Sequence, residues 1–424
     1  YTSNMGIIRS VYYLLSPYVD VRERRVAKFF DRLSEHNSRV YISAELDRLV
    51  QENIAVVNLW TEFRYKGYRY LMKSKRRELY ANLDRITKDF EKFYRTYGAS
   101  ADETARYVRT IVPGVNIRSD QVRLIQAIMD YLSPSNGRYE YRASSSFGRL
   151  LRDPLQDTMV GDCNQIVTLY IYLYSRYLDV TDLRVRTLPG HVALHCGGVD
   201  IEATNGTWKN YASSADASVL PLSEIVSINL LDTTDEYFET HEVRAEDFLQ
   251  SARFAYLLSH ERDIVGRNLD AAYGKVVSQL MKRNSYEHAL KVARASRDAE
   301  LLAVVGNNGA IYYMGKNNFI ASRRFAEYAL RKPELIRDSW RAEGVYHYNA
   351  NRFHDAIRAF KHCNDEKLVS RCYEGLFFVE QDKLPKNLTS ESIRNHKHTI
   401  RRMDDYARKS KNHELIQHLS TLKK

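Results

Sequence analysis

The sequence predicts an α+β fold in three consecutive parts: a helical N-terminal region at 1–100, a mixed domain at 101–240 and a helical repeat region at 241–424. Apolar residues recur every three or four positions in the first and last parts, which is typical of helices. Between 183 and 204 they alternate with polar residues, which is typical of strands. A 35-residue period after position 300 indicates repeated helical hairpins.

The composition is that of a folded protein with a basic charge balance. The chain has 424 residues, a formal net charge of +11 and 44% apolar residues. The basic residues are spread along the whole chain and no nucleic-acid-binding signature accompanies them, so nucleic acid is not the expected partner. No apolar run is long enough to predict a membrane span. The four cysteines are too few and too scattered for a disulfide framework.

The localisation stays open between the cytoplasm and the periplasm or cell envelope. The first residue is Tyr1 rather than Met, so a signal peptide or anchor upstream of Tyr1 remains an alternative. The low cysteine content permits a reducing compartment without requiring one.

The N-terminal region is predicted to be a bundle of amphipathic helices. Leu79, Leu83, Ile86 and Phe90, for example, recur at helical spacing. The composition changes at 98–103, where small and acidic residues indicate a boundary. The region offers no catalytic spacing, so a scaffold or docking role is expected.

The mixed domain centres on Cys163, which follows Gly161 and Asp162 and opens a predicted helix. Apolar residues occupy most positions from 166 to 177, which predicts a helix buried around most of its surface. Backbone N–H groups at a helix N-terminus lack intrahelical acceptors, and the helix dipole favours an anion there. This is the placement that a reactive thiol needs, so Cys163 is the predicted nucleophile.

Three strands are predicted after this helix, at 183–188, 191–196 and 199–204, with Gly197 and Gly198 as a two-residue turn between the last two. This register pairs residue 195 with 200 and residue 191 with 204. Glu202 is then the diagonal neighbour of His191 on the same face of the sheet.

His191 and Glu202 supply the other two groups that a thiol nucleophile requires. A base must accept the thiol proton, and an acid must hold the base in one tautomer. His191 is the predicted base and Glu202 the predicted orienting acid. His195 with Asp200 is the alternative couple, and it is less favoured because it lies further from the bend at Pro189 and Gly190.

These residues together resemble the transglutaminase-like superfamily, a papain-related cysteine fold. The resemblance covers about 105–235 and rests on Gly161-Asp162-Cys163, on Pro189-Gly190-His191, and on an acid in the next strand. The pattern is most similar to a bacterial branch that carries a C-terminal helical repeat array. The resemblance implies that Cys163 is the nucleophile, His191 the base and Glu202 the orienting acid. Glu202 departs from the family, which usually has Asp at this position.

An acyl transfer also needs hydrogen-bond donors for its oxyanion. The resemblance implies that the backbone N–H of Cys163 is one donor. Papain-like enzymes use a Gln upstream of the nucleophile as the second, and Gln156 lies seven residues upstream here. An exposed loop glutamine is the alternative interpretation of Gln156.

A metal site and a cofactor are not expected. His191, His195, Cys196 and Asp200 are all residue types that can bind zinc. However, Cys196 lies on the opposite face of its strand from His191, and no second Cys/His pair is nearby.

The C-terminal region repeats small and aromatic residues with a 35-residue period. Gly309, Ala321 and Phe325 return as Gly344, Ala356 and Phe360. Small residues at fixed spacing let the two helices of a hairpin approach closely. The pattern resembles tetratricopeptide repeats, which stack into an α-solenoid and bind peptides or proteins in their groove. Bracing the mixed domain is the alternative role.

Two functions are consistent with these observations. The first is a cysteine hydrolase or acyltransferase acting on peptide or amide bonds through Cys163, His191 and Glu202, with water or an amine resolving the intermediate. The second is a catalytically idle scaffold that assembles protein partners through its helical repeats, as part of a larger assembly.

Overall fold

The computed structural model describes residues 12–143, 146–232, 244–386 and 389–422. The fold is mixed α+β with an antiparallel sheet and a C-terminal helical region, as the sequence predicts. Within the described residues this sheet has five strands, two more than the three that the sequence predicts. The chain divides into two compact units, residues 1–272 and residues 273–424. Within the described ranges, no helix is both long and apolar enough to cross a membrane.

The first unit contains nine helices lying wholly within the described residues, and a tenth crosses its boundary. They are α1 (Val21–Arg32), α2 (Arg39–Arg64), α3 (Lys73–Arg95), α4 (Ala101–Ile111), α5 (Ser119–Tyr131), α6 (Phe147–Leu150), α7 (Cys163–Ser175), α8 (Glu224–Leu231), α9 (Ala245–Leu258) and α10 (Arg262–Lys282). Side-chain caps define several of their N-termini. Asp20 caps α1, Ser38 caps α2 and Ser100 caps α4, each accepting hydrogen bonds from backbone N–H groups of the first turn.

Seven strands form two sheets among the described residues of this unit. They are β1 (Tyr139–Tyr141), β2 (Met159–Gly161), β3 (Leu183–Leu188), β4 (His191–Cys196), β5 (Val199–Glu202), β6 (Thr207–Lys209) and β7 (Ser218–Pro221). Strands β1 and β2 form a parallel pair, and β2 leads directly into the start of α7. The other five strands form an antiparallel sheet in the order β6-β5-β4-β3-β7.

Alternation along the strands places one face of the large sheet in the core. Val185, Val192, Leu194, Ile201 and Trp208 are buried and belong to the same hydrophobic cluster as the apolar side chains of α7. From Gln165 onward every residue of α7 is buried. The predicted helix buried around most of its surface is therefore present, and only its N-terminal end approaches solvent.

The compact units differ from the domain division predicted from the sequence. Helices α1–α3 share one continuous hydrophobic cluster with α7 and the large sheet, and all of them belong to the first compact unit. Polar contacts reinforce this: the Gln51 amide donates to the Ser175 carbonyl at 2.9 Å, and the Asn82 amide donates to the Leu151 carbonyl at 3.1 Å. The predicted boundary at 240 lies outside the described residues, and the observed boundary falls within α10.

The second unit consists of helices that pack against their sequence neighbours. Beyond the last turn of α10 they are α11 (Tyr286–Ser296), α12 (Ala299–Gly315), α13 (Phe319–Ala326), α14 (Lys332–Asn349), α15 (Phe353–His362), α16 (Glu366–Gln381), α17 (Ser390–Asn395), α18 (Lys397–Ser410) and α19 (His413–Leu422). The periodic glycines sit at close helix–helix contacts. A Cβ atom at Gly309 would lie 2.3 Å from the Phe325 ring, and one at Gly344 would lie 2.4 Å from the Phe360 ring.

Candidate active site

The start of α7 is shaped so that Cys163 occupies its first turn. Gly161 is closely packed, because a Cβ atom there would lie 3.1 Å from a methyl group of Leu150 and 3.2 Å from the Cβ of Gln165. Asp162 is the N-cap, and its carboxylate accepts the backbone N–H of Gln165 at 3.1 Å. Cys163 therefore lies at the N-terminus of a buried helix, half-buried itself.

The hairpin that carries the histidine has the predicted two-residue turn. Gly197 and Gly198 have φ angles of 58° and 99°, the left-handed backbone that such a turn needs and that glycine adopts without strain. The strand register pairs His195 with Asp200 and Cys196 with Val199, as predicted. A shift of one residue would have sent the histidines to the opposite face.

His191 links the cysteine to the acid. Its Nε2 lies 2.7 Å from Oε2 of Glu202, so Nδ1 is the ring nitrogen left for a second partner. The hydrogen bonds with Cys163 and Glu202 raise the pKa of His191 from 6.5 to about 10, against the opposing effect of burial. The His191 imidazole, influenced by Cys163 and Glu202, is therefore protonated at neutral pH.

Glu202 is held on both of its oxygens. Oε1 accepts the Thr204 hydroxyl at 2.6 Å and the Thr204 backbone N–H at 3.2 Å, while Oε2 accepts the Tyr211 hydroxyl at 2.8 Å in addition to His191. Burial alone would raise the pKa of Glu202. The hydrogen bonds from His191, Thr204 and Tyr211 outweigh burial and lower the pKa from 4.5 to about 2. The carboxylate is therefore ionised throughout the neutral range.

The alternative couple is also formed, in a more enclosed setting. His195 Nδ1 lies 2.7 Å from Oδ1 of Asp200, and the Arg186 guanidinium donates to the same oxygen at 2.8 Å. Burial would raise the pKa of Asp200, but hydrogen bonds from His195, Arg186 and the Tyr211 backbone lower it.

Gln156 lies in an exposed turn after Asp153, whose carbonyl accepts its backbone N–H at 3.1 Å. This is the position that the alternative interpretation of Gln156 expects. Its role as an oxyanion donor stays a prediction.

The other three thiols differ from Cys163 in their surroundings. Cys196 and Cys372 are buried, and burial raises the pKa of each to about 12. Cys363 is half-buried, and burial raises its pKa as well. A raised thiol pKa suppresses the nucleophilic thiolate, so none of these three environments suits a nucleophile.

The described part of the chain offers no group of three or more His, Cys, Asp or Glu side chains arranged to bind a metal ion. Asp200 accepts hydrogen bonds from Arg186, His195 and the Tyr211 backbone.

Sequence reasoning missed Thr204, Tyr211 and Arg186 as parts of this site. Thr204 lies two residues after Glu202, and its role follows from a local turn. Tyr211 comes from an irregular segment after β6, where no periodicity marks it. Arg186 alternates with buried residues in β3, and a buried cation in a strand is a signal that a carboxylate is nearby.

Replacing Glu202 by Gln is expected to lower the pKa of His191 by about 1–3 units, because the opposite charge beside the imidazolium is lost. Titration of His191 by NMR measures this, with the exposed His36 as an internal control.

The folded pKa of His191 lies above 6.5 and that of Glu202 lies below 4.5. The stabilising effect of the pair is therefore complete only between about pH 4.5 and 6.5, and it is lost as the pH rises towards 10 or falls towards 2. The loss of stability in Glu202→Gln should be greatest in that window; an unchanged His191 titration would contradict the assigned contact.

No family model matches the chain, and no curated protein matches it either.

Proposed function

We propose that this protein is a cysteine hydrolase or acyltransferase that acts on peptide or amide bonds, in a transglutaminase-like arrangement. The observation that carries the proposal is the 2.7 Å contact between His191 and Glu202, together with the effect of Cys163, which raises the pKa of His191. The cysteine lies at the N-terminus of a buried helix, where a thiolate is favoured, and the histidine and acid come from adjacent strands.

In the first half of the reaction, the Cys163 thiolate attacks the carbonyl carbon of the substrate and an S–C bond forms. The carbonyl oxygen becomes an oxyanion beside the N-terminus of α7, where the backbone N–H of Cys163 is a candidate donor. The C–N bond then breaks as the His191 imidazolium gives its proton to the leaving amine. The products are a thioester on Cys163, a free amine and a neutral imidazole.

In the second half, water or an amine attacks the thioester while His191 accepts the proton of the attacking group. The C–S bond breaks, the thiolate returns and the imidazolium is restored. Glu202 stays ionised throughout and holds Nε2 of the ring, so the same tautomer serves both halves. Hydrolysis and transfer differ only in the attacking group.

The helical repeat region is proposed to bind a protein or peptide, in the manner of tetratricopeptide repeats. The contacts of Gly309 with Phe325 and of Gly344 with Phe360 support a common hairpin unit, because the two glycines and the two aromatic residues each lie 35 positions apart. Ile311 and Tyr346 are separated by the same period and are both exposed. Repeated exposed apolar positions are what a binding array presents.

An electrophilic thiol probe tests the proposed function on the full chain. Iodoacetamide should label Cys163 much faster than Cys363 between about pH 6 and 9, because an imidazolium beside a thiol makes a thiolate available at neutral pH. Peptide mass spectrometry identifies the labelled residue. A glutamine-containing peptide with and without a fluorescent primary amine then separates hydrolysis from transfer.

The matched controls are Cys163→Ala, which should abolish the fast labelling, and Cys363→Ala, which should leave it unchanged. Equal labelling rates for Cys163 and Cys363 in the folded protein would contradict the enzyme and favour the scaffold.

A further inference from the structure

Tyr211 contacts both histidine–carboxylate pairs of the large sheet. Its backbone N–H donates to Oδ2 of Asp200 at 2.7 Å, and its hydroxyl donates to Oε2 of Glu202 at 2.8 Å. One residue therefore ties the carboxylate beside His195 to the carboxylate beside His191. The catalytic arrangement proposed above uses only the second pair and leaves the first without a role.

Asp200 is a rigid anchor for the backbone of Tyr211. Its carboxylate is 2% exposed, and Oδ1 accepts from both Arg186 at 2.8 Å and His195 at 2.7 Å. Arg186 is itself nearly buried, so the ion pair is shielded from water and holds a fixed geometry. The other carboxylate oxygen, Oδ2, accepts the backbone N–H of Tyr211.

We propose that Tyr211 is a positioning residue for His191, and that the Arg186–His195–Asp200 cluster acts through Tyr211 to hold the carboxylate of Glu202 in place. The inference rests on the proposed function, since it assigns a supporting network to the same site. It also gives the His195–Asp200 pair a structural purpose in that network.

The length of Glu202 is the physical reason that such a clamp is needed. Glutamate has one more rotatable bond than aspartate, so an unsupported carboxylate would sample several orientations beside His191. Thr204 fixes Oε1, and Tyr211 fixes the same oxygen that contacts His191. Without the Tyr211 hydroxyl, Oε2 would be held by the imidazole alone, and the imidazole would lose its fixed distance from the thiol.

Other ionisable groups lie near His191 and Glu202, and their own titration limits what a pH profile can report about these two residues. Burial raises the pKa of Tyr139 and Tyr141 on β1, of Tyr170 on α7 and of Tyr211, so these phenols stay neutral between pH 6 and 9. Burial and the nearby Asp232 raise the pKa of Asp162 to about 7. Asp162 therefore titrates in the same range in every variant, and the informative quantity is the difference from the wild type.

The test compares the full-length wild type with Tyr211→Phe, Asp200→Asn and the double variant. Tyr211→Phe removes only the hydroxyl. Asp200→Asn replaces one carboxylate oxygen by an NH₂ group. That NH₂ group then faces a hydrogen-bond donor, either the Tyr211 backbone N–H or the side chains of Arg186 and His195. We expect each single change to slow Cys163 alkylation by iodoacetamide at pH 6 by about three- to tenfold and to move the pH profile upwards. The double variant should be no slower than the slower single variant, because both changes break one chain of contacts.

An NMR measurement reads the same network independently of the thiol chemistry. The proton on Nε2 of His191 is held by Glu202, and its exchange with water should become faster in each variant. Tyr107→Phe and Asp216→Asn alter exposed residues elsewhere and should change neither measurement. Should Asp200→Asn fail to fold, Tyr211→Phe decides the matter alone.

An unchanged alkylation rate and an unchanged Nε2 proton in Tyr211→Phe would overturn the inference, as would a double variant equal to the product of the two singles. These outcomes differ from failure of the proposed function. In that case wild-type Cys163 would react no faster than Cys363, and the Nε2 proton would still show whether Tyr211 supports His191.

Discussion

Replacing Cys163 by Ala, or His191 by Gln, is expected to lower turnover by about 10⁴- to 10⁶-fold, and combining the two changes is expected to cost no more than either alone. In the proposed reaction, the thiolate forms the covalent bond, and the imidazole supplies and removes the proton that each half of the reaction needs. Each proposed role depends on the other group, so the two residues should behave as one unit in this test. The measurement is kcat/KM on the glutamine-containing peptide identified with the wild type.

The control for this prediction is Cys363→Ala, a substitution at another half-buried thiol, which should keep wild-type turnover. The melting temperature of each variant shows whether the fold is retained. Full turnover by folded Cys163→Ala, or costs that multiply in the double variant, would contradict a shared cysteine–histidine unit.

Replacing Arg76 by Met is expected to lower the free energy of unfolding of the first unit by about 3–5 kcal/mol. Arg76 and Glu23 are both fully buried and form a two-pronged ion pair with N–O distances of 2.7 and 3.1 Å. The guanidinium also donates to the carbonyls of Leu71 and Pro17 and lies 4.1 Å from the centre of the Phe63 ring. Removing it leaves the Glu23 carboxylate buried without its counter-charge.

Lys75→Met is the matched control, since Lys75 is the neighbouring residue and its ion pair with Glu78 is exposed to solvent. Its effect should be within about 0.5 kcal/mol, as for other exposed ion pairs. Adding Glu23→Leu to Arg76→Met should recover part of the loss, because no unpaired charge then remains buried. Urea unfolding followed by circular dichroism measures all four proteins. Equal midpoints for Arg76→Met and Lys75→Met would show that the buried pair contributes little.

Local sequence patterns predicted the register of the hairpin better than the contacts between the site and distant residues. The two glycines at 197–198 force a tight turn, and a tight turn fixes the register of the two strands beside it. Given that register, the alternation of side chains places His191 and Glu202 on one face. The contact of His191 with Glu202 follows from rules that act over a dozen residues.

The third contact partner of Glu202 could not be predicted in this way. Tyr211 reaches Glu202 from an irregular segment, and its position depends on Asp200, which depends in turn on Arg186 from another strand. Each step joins residues that are brought together only by the folded sheet. No spacing in the sequence encodes such a chain of contacts.

The domain division shows the same limit. The change of composition at 98–103 is real, but it marks the capped start of α4 rather than the edge of a compact unit. Apolar faces of α1–α3 are visible in the sequence as periodic patterns. The surface they pack against is not, because any apolar face fits many partners and the choice is made by the shape of the whole core.

Side-chain spacing within short stretches is enough to predict the buried helix that begins at Cys163, the hairpin register and the 35-residue period of the helical region. The side chains that hold Glu202, and the packing of the N-terminal helices against the core of the sheet, are visible only in the folded structure. These depend on packing between distant segments, where the free energy comes from burial and from fixed hydrogen-bond geometry rather than from local preference.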